Sequence, residues 1–160
     1  YILMILVLLG TQNNSFHRLL EEVQKNIENK KIKEEVIVQK GYTKFESQDM
    51  KMYTEIPIDE LNKLIDQADL IITHGGVGSI ISSIKKGKKV IAVPRLEKYK
   101  EHVNDHQKDI VETFNQSEYI IGIENVEQLG EALDKVESFI PKKYISDNSK
   151  MLKIIEDFIG

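Results

Sequence analysis

The chain has 160 residues, 41% of them hydrophobic and 30% charged, with a formal net charge of −4. That is the balance of an ordinary globular domain large enough to bury a core, and its acidity argues against a general nucleic-acid partner. Cysteine is absent, which excludes disulfides and thiolate metal sites and fits a reducing cytoplasm.

Ile2 to Leu9 is apolar but too short to cross a bilayer. It lacks a basic leader and a small-residue cleavage site, so it reads as a central strand over Leu3 to Leu9, with Met4 a candidate native start. Gly10-Thr11-Gln12-Asn13-Asn14 forms the first turn. Phe16, Leu19, Leu20, Val23 and Ile27 then mark a helical stripe, with Asn13, Asn14 or Ser15 as its cap. Glu35 to Gln39 is a short strand, Gly41 to Gln48 a polar connection carrying Tyr42 and Phe45, and Asp49 to Ile56 a weak strand. Pro57 and Asp59 open a helix whose stripe is Leu61, Leu64, Ile65 and Ala68.

Ala68 to Thr73 is a nearly continuous apolar run, the pattern of a strand buried on both faces of a parallel sheet. His74-Gly75-Gly76-Val77-Gly78-Ser79 follows at once, and Ile80, Ile81 and Ile84 mark a helix that Gly87 closes. A glycine turn opening a helix after a buried strand is suited to anions, because free N–H groups and the helix dipole converge there. The turn is neither a dinucleotide fingerprint, since Ile81 stands where the third glycine belongs, nor a Walker A loop. A tight connection with no ligand remains the competing reading. The Gly10-Thr11 turn lies at the same sheet edge and is a second candidate to face a diphosphate.

Val90 to Val93 is another buried strand, stopped by Pro94, and Arg95 to Lys100 is a polar loop. Glu101-His102-Val103-Asn104-Asp105-His106-Gln107 then places carboxylates, imidazoles and amides just past a strand's carboxyl end, where open α/β sheets bind ligands. A helix runs on to about Asn115. His102 and His106 are four apart, a spacing that can hold zinc, although Glu101 and Asp105 share that face poorly. Glu118 to Ile123 is a strand, Val126, Leu129, Leu133, Val136 and Phe139 define a helix, and Met151 to Ile159 the last one. Lysines cluster at Lys85-Lys86 with Lys88-Lys89, at Lys98 with Lys100, and at Lys142-Lys143, as a solvated face or a patch toward an anionic bilayer. Strands alternating with helices predict one Rossmann-like α/β domain over residues 1–160, a mostly parallel sheet with helices on both faces.

Three segments in this order and spacing, THGGVGS, GKKVIAVPR and EHVNDHQ, resemble the donor-binding half of GT-B glycosyltransferases. The likeness is to the family 28 carboxyl-terminal domain and the Alg13-like subunits, and above all to small bacterial capsule or exopolysaccharide subunits that work beside an Alg14-like membrane partner. It covers almost the whole chain, from the Leu-Gly-Thr turn to the last helix. The resemblance implies a UDP-sugar donor, inverting transfer of a hexose (N-acetylglucosamine, galactose or glucuronate class), and neither cofactor nor metal. It implies that Gly75, Gly76, Gly78 and Ser79 hold the diphosphate, and that Arg95, Glu101, Asn104, Asp105, His106 and Gln107 line the donor.

His74 is the candidate catalytic residue, donating to a phosphate or polarising a sugar hydroxyl near its pKa, with a structural hydrogen bond as the alternative. Many relatives carry an acid on the helix after the glycine turn; here Ser82 stands in that place, and Glu101 is the substitute ribose contact. The resemblance also implies that the acceptor site sits on a membrane-anchored partner binding a lipid-linked saccharide, which would hold this chain at the inner face of the membrane. Competing with this are a non-catalytic module that stabilises a partner transferase and, more remotely, half of a sugar-nucleotide epimerase.

Overall fold

A computed structural model describes residues 4–145. Within them the chain runs β1 (Met4–Leu8), α1 (His17–Glu28), β2 (Glu35–Gln39), β3 (Lys51–Tyr53), α2 (Ile58–Gln67), β4 (Leu70–His74), α3 (Val77–Ile84), β5 (Val90–Val93), α4 (His106–Gln116), β6 (Ile121–Gly122) and α5 (Leu129–Lys135). All strand pairs are parallel, in the order β3-β2-β1-β4-β5-β6. The order reverses between β1 and β4, so the sheet has a topological switch point at the carboxyl ends of those two strands.

Period-2 alternation within β1 explains the two cores. Ile5, Val7 and Leu9 face α1 and α5, meeting Leu19, Leu20, Val23, Leu129 and Val136. Met4, Leu6 and Leu8 face α2, α3 and α4, meeting Ile65, Ile80, Ile84, Ile110 and Phe114. Helices therefore cover both faces, and the central strands β1, β4 and β5 are buried throughout. The registers Leu8↔Gln39, Leu8↔Thr73 and His74↔Val93 set four strand ends level with one another.

Several boundaries move from their sequence-based positions, each for a local reason. The first helix takes no side-chain cap from Asn13, Asn14 or Ser15. The Asn14 amide instead donates to the Lys100 carbonyl at 3.0 Å, and the Phe16 N–H finds Thr43 Oγ1 at 2.9 Å. The weak strand shrinks to Lys51–Tyr53 because Ile56 N–H turns to Gln39 Oε1 on its way into α2. Ala68 caps α2 by donating to the Leu64 carbonyl, so β4 begins at Leu70. The helix of the Glu101–Gln107 segment starts only at His106. Asn104 and Asp105 side chains accept from the His106 and Glu97 N–H groups, and such local bonds compete with a helix. The strand of Glu118 to Ile123 is reduced to Ile121–Gly122, since Tyr119 N–H still follows α4 by bonding the Phe114 carbonyl. A single 3-10 turn, Val126–Gln128, precedes α5. The expected helix at Met151 to Ile159 lies outside the described residues.

The lysine run after α3 is largely structural. Lys86 reaches the Asn62 carbonyl and the Asp66 carboxylate, Lys88 the Asp66 carbonyl, and Lys89 the Val136 and Glu137 carbonyls. The Asp66, Val136 and Glu137 carbonyls lie at the carbonyl ends of α2 and α5, where a cation offsets the dipole. That ties helix ends to the sheet's amino edge and leaves the opposite edge to the turns.

Candidate functional site at the topological switch point

Both glycine turns meet at the carboxyl ends of β1 and β4. Gly10 has φ +76°, and a Cβ placed there would lie 2.7 Å from His74 Nε2. Only glycine accepts both that backbone and that approach. A Cβ at Gly76 would lie 2.5 Å from His74 Cε1 and 2.6 Å from Nε2. The imidazole is thus packed between the two turns, with its Nε2 edge toward both glycines and 4% of its surface exposed. Burial, reinforced by the nearby Arg95 cation, pushes its pKa down to about 3. His74 is therefore neutral near pH 7, which corrects the expectation of a group titrating in that range.

Gly76 caps α3 with extended backbone, and the first turn of that helix carries no acidic residue. Its leading N–H groups have no carbonyl one turn back. Gly75 differs: its N–H donates to Gln107 Oε1 at 3.0 Å, so it is not among the available donors. Gly78 is exposed, with nothing within 4 Å of where a Cβ would point, and Ser79 is half-buried beside it. Thr11 is exposed on the other turn.

Behind the turns stands a buried polar frame. Arg95, 1% exposed, donates to the carbonyls of Leu9, Asn14 (2.8 Å) and Glu101 (3.0 Å), tying the β1 turn to the loop after β5. Burial lowers the Arg95 guanidinium to about 10, offset in part by Glu101. Glu101, 3% exposed, receives a two-pronged contact from Arg18 at 2.7 and 2.9 Å and accepts from the Leu96 N–H. The Tyr99 ring lies 3.9 Å from the Arg18 guanidinium carbon, a stacked cation–π geometry. Gln107 is fully buried, accepting from Gly75 and Arg95 N–H groups and touching His74 Nδ1 at 3.2 Å.

The residues singled out from sequence accordingly separate into two sets. Gly10, His74, Gly75, Gly76, Arg95, Glu101 and Gln107 form one connected framework, and its four side chains all bond within the protein. Thr11, Gly78, Asp105 and His106 are exposed, while Ser79 and Asn104 are half-buried. Ser82 is exposed on α3. Arg18, Tyr99 and Gly41 belong to the framework and have no local sequence signal. Gly41, at φ +56°, presses against the Gly10 carbonyl, and Arg18 finds Glu101 from 83 residues away.

His102 lies in the bend before α4, not on one helix face with His106, and its Nδ1 accepts from Asn104 N–H. Among the described residues no group of three His, Cys, Asp or Glu is placed to hold a metal. The two buried side-chain polar atoms without a partner among the described residues are Gln12 Oε1 and Arg95 Nε. Both belong to this edge, and unmatched polarity of that kind gathers at functional sites. A groove of about 320 Å³ between β3 and α2, lined by Ile37, Tyr53, Ile56 and Leu64, includes no residue of either turn. It collects no buried titratable group, so the chemistry is assigned to the strand ends.

Comparison with known proteins agrees with this architecture. The NMR structure of ALG13 superposes with a TM-score of 0.62 at 17% identity, covering 96% of this chain and 94% of that one. The kitacinnamycin glycosyltransferase superposes at 0.61 with 18% identity over 96% of this chain and 37% of that one. MurG of Acinetobacter baumannii gives 0.55 at 17% identity over 82% of this chain and 40% of that one. At these identities the likeness is one of fold. In sequence, the chain is 35% identical over 102 residues to the UDP-N-acetylglucosamine transferase subunit ALG13 of Kluyveromyces lactis, covering 59% of this chain and 42% of the relative. The corresponding Candida albicans subunit is 30% identical over 90 residues, covering 55% and 29%. The chain thus spans less than half the length of the curated relatives it matches. The glycosyltransferase family 28 C-terminal domain model matches residues 4–159, nearly the whole sequence, and the chain belongs to that family.

Proposed function

We propose that this chain is the donor-binding part of a UDP-sugar-dependent glycosyltransferase that transfers a hexose to a lipid-linked saccharide in polysaccharide biosynthesis. The observation that carries the reading is the meeting of two glycine turns and a neutral, buried histidine at the switch point, with the amino end of α3 opening beside them. The activity of the ALG13 relatives makes UDP-N-acetylglucosamine the first donor to try, with galactose and glucuronate donors next.

In this reading an acceptor hydroxyl attacks the anomeric carbon, the bond from that carbon to the β-phosphate oxygen breaks, and UDP leaves with inversion. Negative charge grows on the phosphate oxygens as it departs. The first N–H groups of α3, the helix dipole and the His74 edge are fixed where that charge forms, and preorganised donors of this kind lower the barrier without needing a metal. In this reading Gly78, Ser79 and Thr11 meet the diphosphate, and Asn104, Asp105 and His106 the sugar and ribose. Arg95, Glu101 and Gln107 hold the loops in position instead of meeting the donor. The acceptor's proton goes to a base outside this framework, on the Alg14-like partner that carries the acceptor and holds the chain against the membrane. Among the described residues no helix is long and apolar enough to cross a bilayer.

Calorimetric titration with UDP, alone and with the partner, tests the reading. Binding is expected, and Gly76→Val, whose side chain would collide with His74, should abolish it. No binding of any uridine nucleotide in either state would end the idea. The exposed Ser82, in place of an acid, favours one alternative, a non-catalytic module that stabilises the partner. That module reading wins if Gly76→Val leaves transfer by the assembled complex intact.

A further inference from the structure

Gln107 has one amide group and three neighbours, and their chemistry leaves a single arrangement. Its Oε1 lies 3.0 Å from the Gly75 nitrogen and 3.0 Å from the Arg95 nitrogen. Both are backbone N–H donors, and two donors can converge only on an oxygen, because an amide NH₂ has no lone pair to offer. A flipped amide would set NH₂ against both and leave three buried donors unsatisfied. The Gln107 NH₂ is therefore the group 3.2 Å from His74 Nδ1, and it can only donate. Nδ1 must be the unprotonated nitrogen.

The ring itself is neutral, being buried and close to Arg95 and His102. A neutral imidazole carries one proton, so that proton sits on Nε2. The Nε2 edge is the one that a Cβ at Gly10 or Gly76 would strike, at 2.7 and 2.6 Å. We propose that Gln107 is a positioning residue that fixes the His74 tautomer, so that Nε2–H is the donor turned toward the edge shared by Gly10 and Gly76. This rests on the donor-site reading only for what the N–H is offered to.

The residue type matters. A glutamate at 107 would still accept from Gly75 and Arg95 but could not donate to Nδ1. It would draw the proton to Nδ1 and turn the Nε2 lone pair toward that edge, where it would repel a phosphate oxygen. Glutamine is thus the isostere that makes histidine a donor, and its fully buried amide serves backbone and imidazole in place of a sugar. The Arg95 contact adds a second consequence. The strand-end loops of β4 and β5 are joined through one oxygen atom.

Long-range ¹H–¹⁵N correlation on the apo protein reads the tautomer without any nucleotide. The wild type should show His74 protonated at Nε2 and bare at Nδ1; a proton on Nδ1 would overturn the proposal. Gln107→Glu should move the proton to Nδ1 while the backbone amide spectrum stays folded, and an unchanged tautomer would likewise overturn it. The same variant should bind UDP at least tenfold more weakly and uridine within twofold of wild type, since uridine brings no phosphate to that edge. Equal UDP affinity in both proteins counts against the proposal. Should the tautomers behave as stated while wild type binds no UDP either alone or with the partner, the hold of Gln107 on His74 stands and the donor-site reading falls.

Discussion

Gly10 after β1 and Gly78 after β4 stand in neighbouring turns at one sheet edge, but their surroundings are opposite. Gly10 is closed in, with a left-handed backbone, the His74 ring 2.7 Å from a notional Cβ, and Gly41 against its carbonyl. The carbonyls of Leu9 and Asn14 on either side are held by Arg95. Gly78 meets nothing within 4 Å and is exposed at the head of a helix. One turn is a wall built into the core, and the other is a floor left open. The difference shows how glycine serves two ends: close packing in the first turn, and access to backbone amides in the second.

Arg95 is the residue that closes the first turn, so breaking it gives the largest effect. Arg95→Met fills similar volume but strips hydrogen bonds from three carbonyls, two of them flanking Gly10. Loss of about 3 kcal/mol is expected, since each buried carbonyl left without a partner costs about 1–3 kcal/mol and removal of the desolvated charge offsets part of the sum. Urea denaturation followed by circular dichroism measures it. A loss below about 1 kcal/mol would mean that the β1 turn holds its shape without the guanidinium.

The open turn was legible in sequence and the closed one mostly was not. His74 to Ser79 is a local pattern between an apolar strand and an isoleucine-striped helix, and its position at a strand's carboxyl end follows from the parallel alternation. The sheet was readable for the same reason, since β1, β5 and the first three residues of β4 are apolar runs. Gly10 was visible as a turn residue, but its contact with His74 comes from the register of β1 against β4. Arg95, Glu101 and Gln107 looked like ligand contacts because polar residues past a strand end usually face solvent. Their partners, Leu9, Arg18 and Gly75, lie far away in the chain, and no periodicity reports such distant pairing. Boundaries slipped where a side chain captured backbone, as Asn104 and Asp105 do ahead of α4.

His74 belongs to both turns, and acid tests whether it is as enclosed as the packing indicates. Its pKa is about 3 in the folded protein against 6.5 unfolded. The unfolded chain therefore binds the proton more readily, and the stabilisation present above pH 6.5 fades as pH falls from there toward 3. By pH 5 the loss attributable to this residue is about 2 kcal/mol. His74→Gln, which keeps an N–H but does not titrate, should lack that component. Urea melts of both proteins between pH 7 and 4.5 isolate it as a difference. Parallel pH profiles would show that the ring is solvated in solution, and the wall and floor would then not share it.

The smallest stability change is expected at Gly78, where the functional consequence is the clearest. Gly78→Glu puts a side chain into open space and a carboxylate into the first turn of α3. Glutamate favours a helix over glycine, and a negative charge at a helix amino end adds roughly 0.3–1 kcal/mol. The variant should therefore be as stable as wild type or slightly more so. The same carboxylate competes with a diphosphate for the α3 amides and repels its charge, so UDP affinity should fall by at least tenfold. A protein that is unharmed in urea yet weakened in nucleotide titration is what an open floor requires, because a merely structural turn offers no route to that combination. Unchanged UDP binding would place the phosphates elsewhere along the edge and leave Gly78 as ordinary exposed backbone.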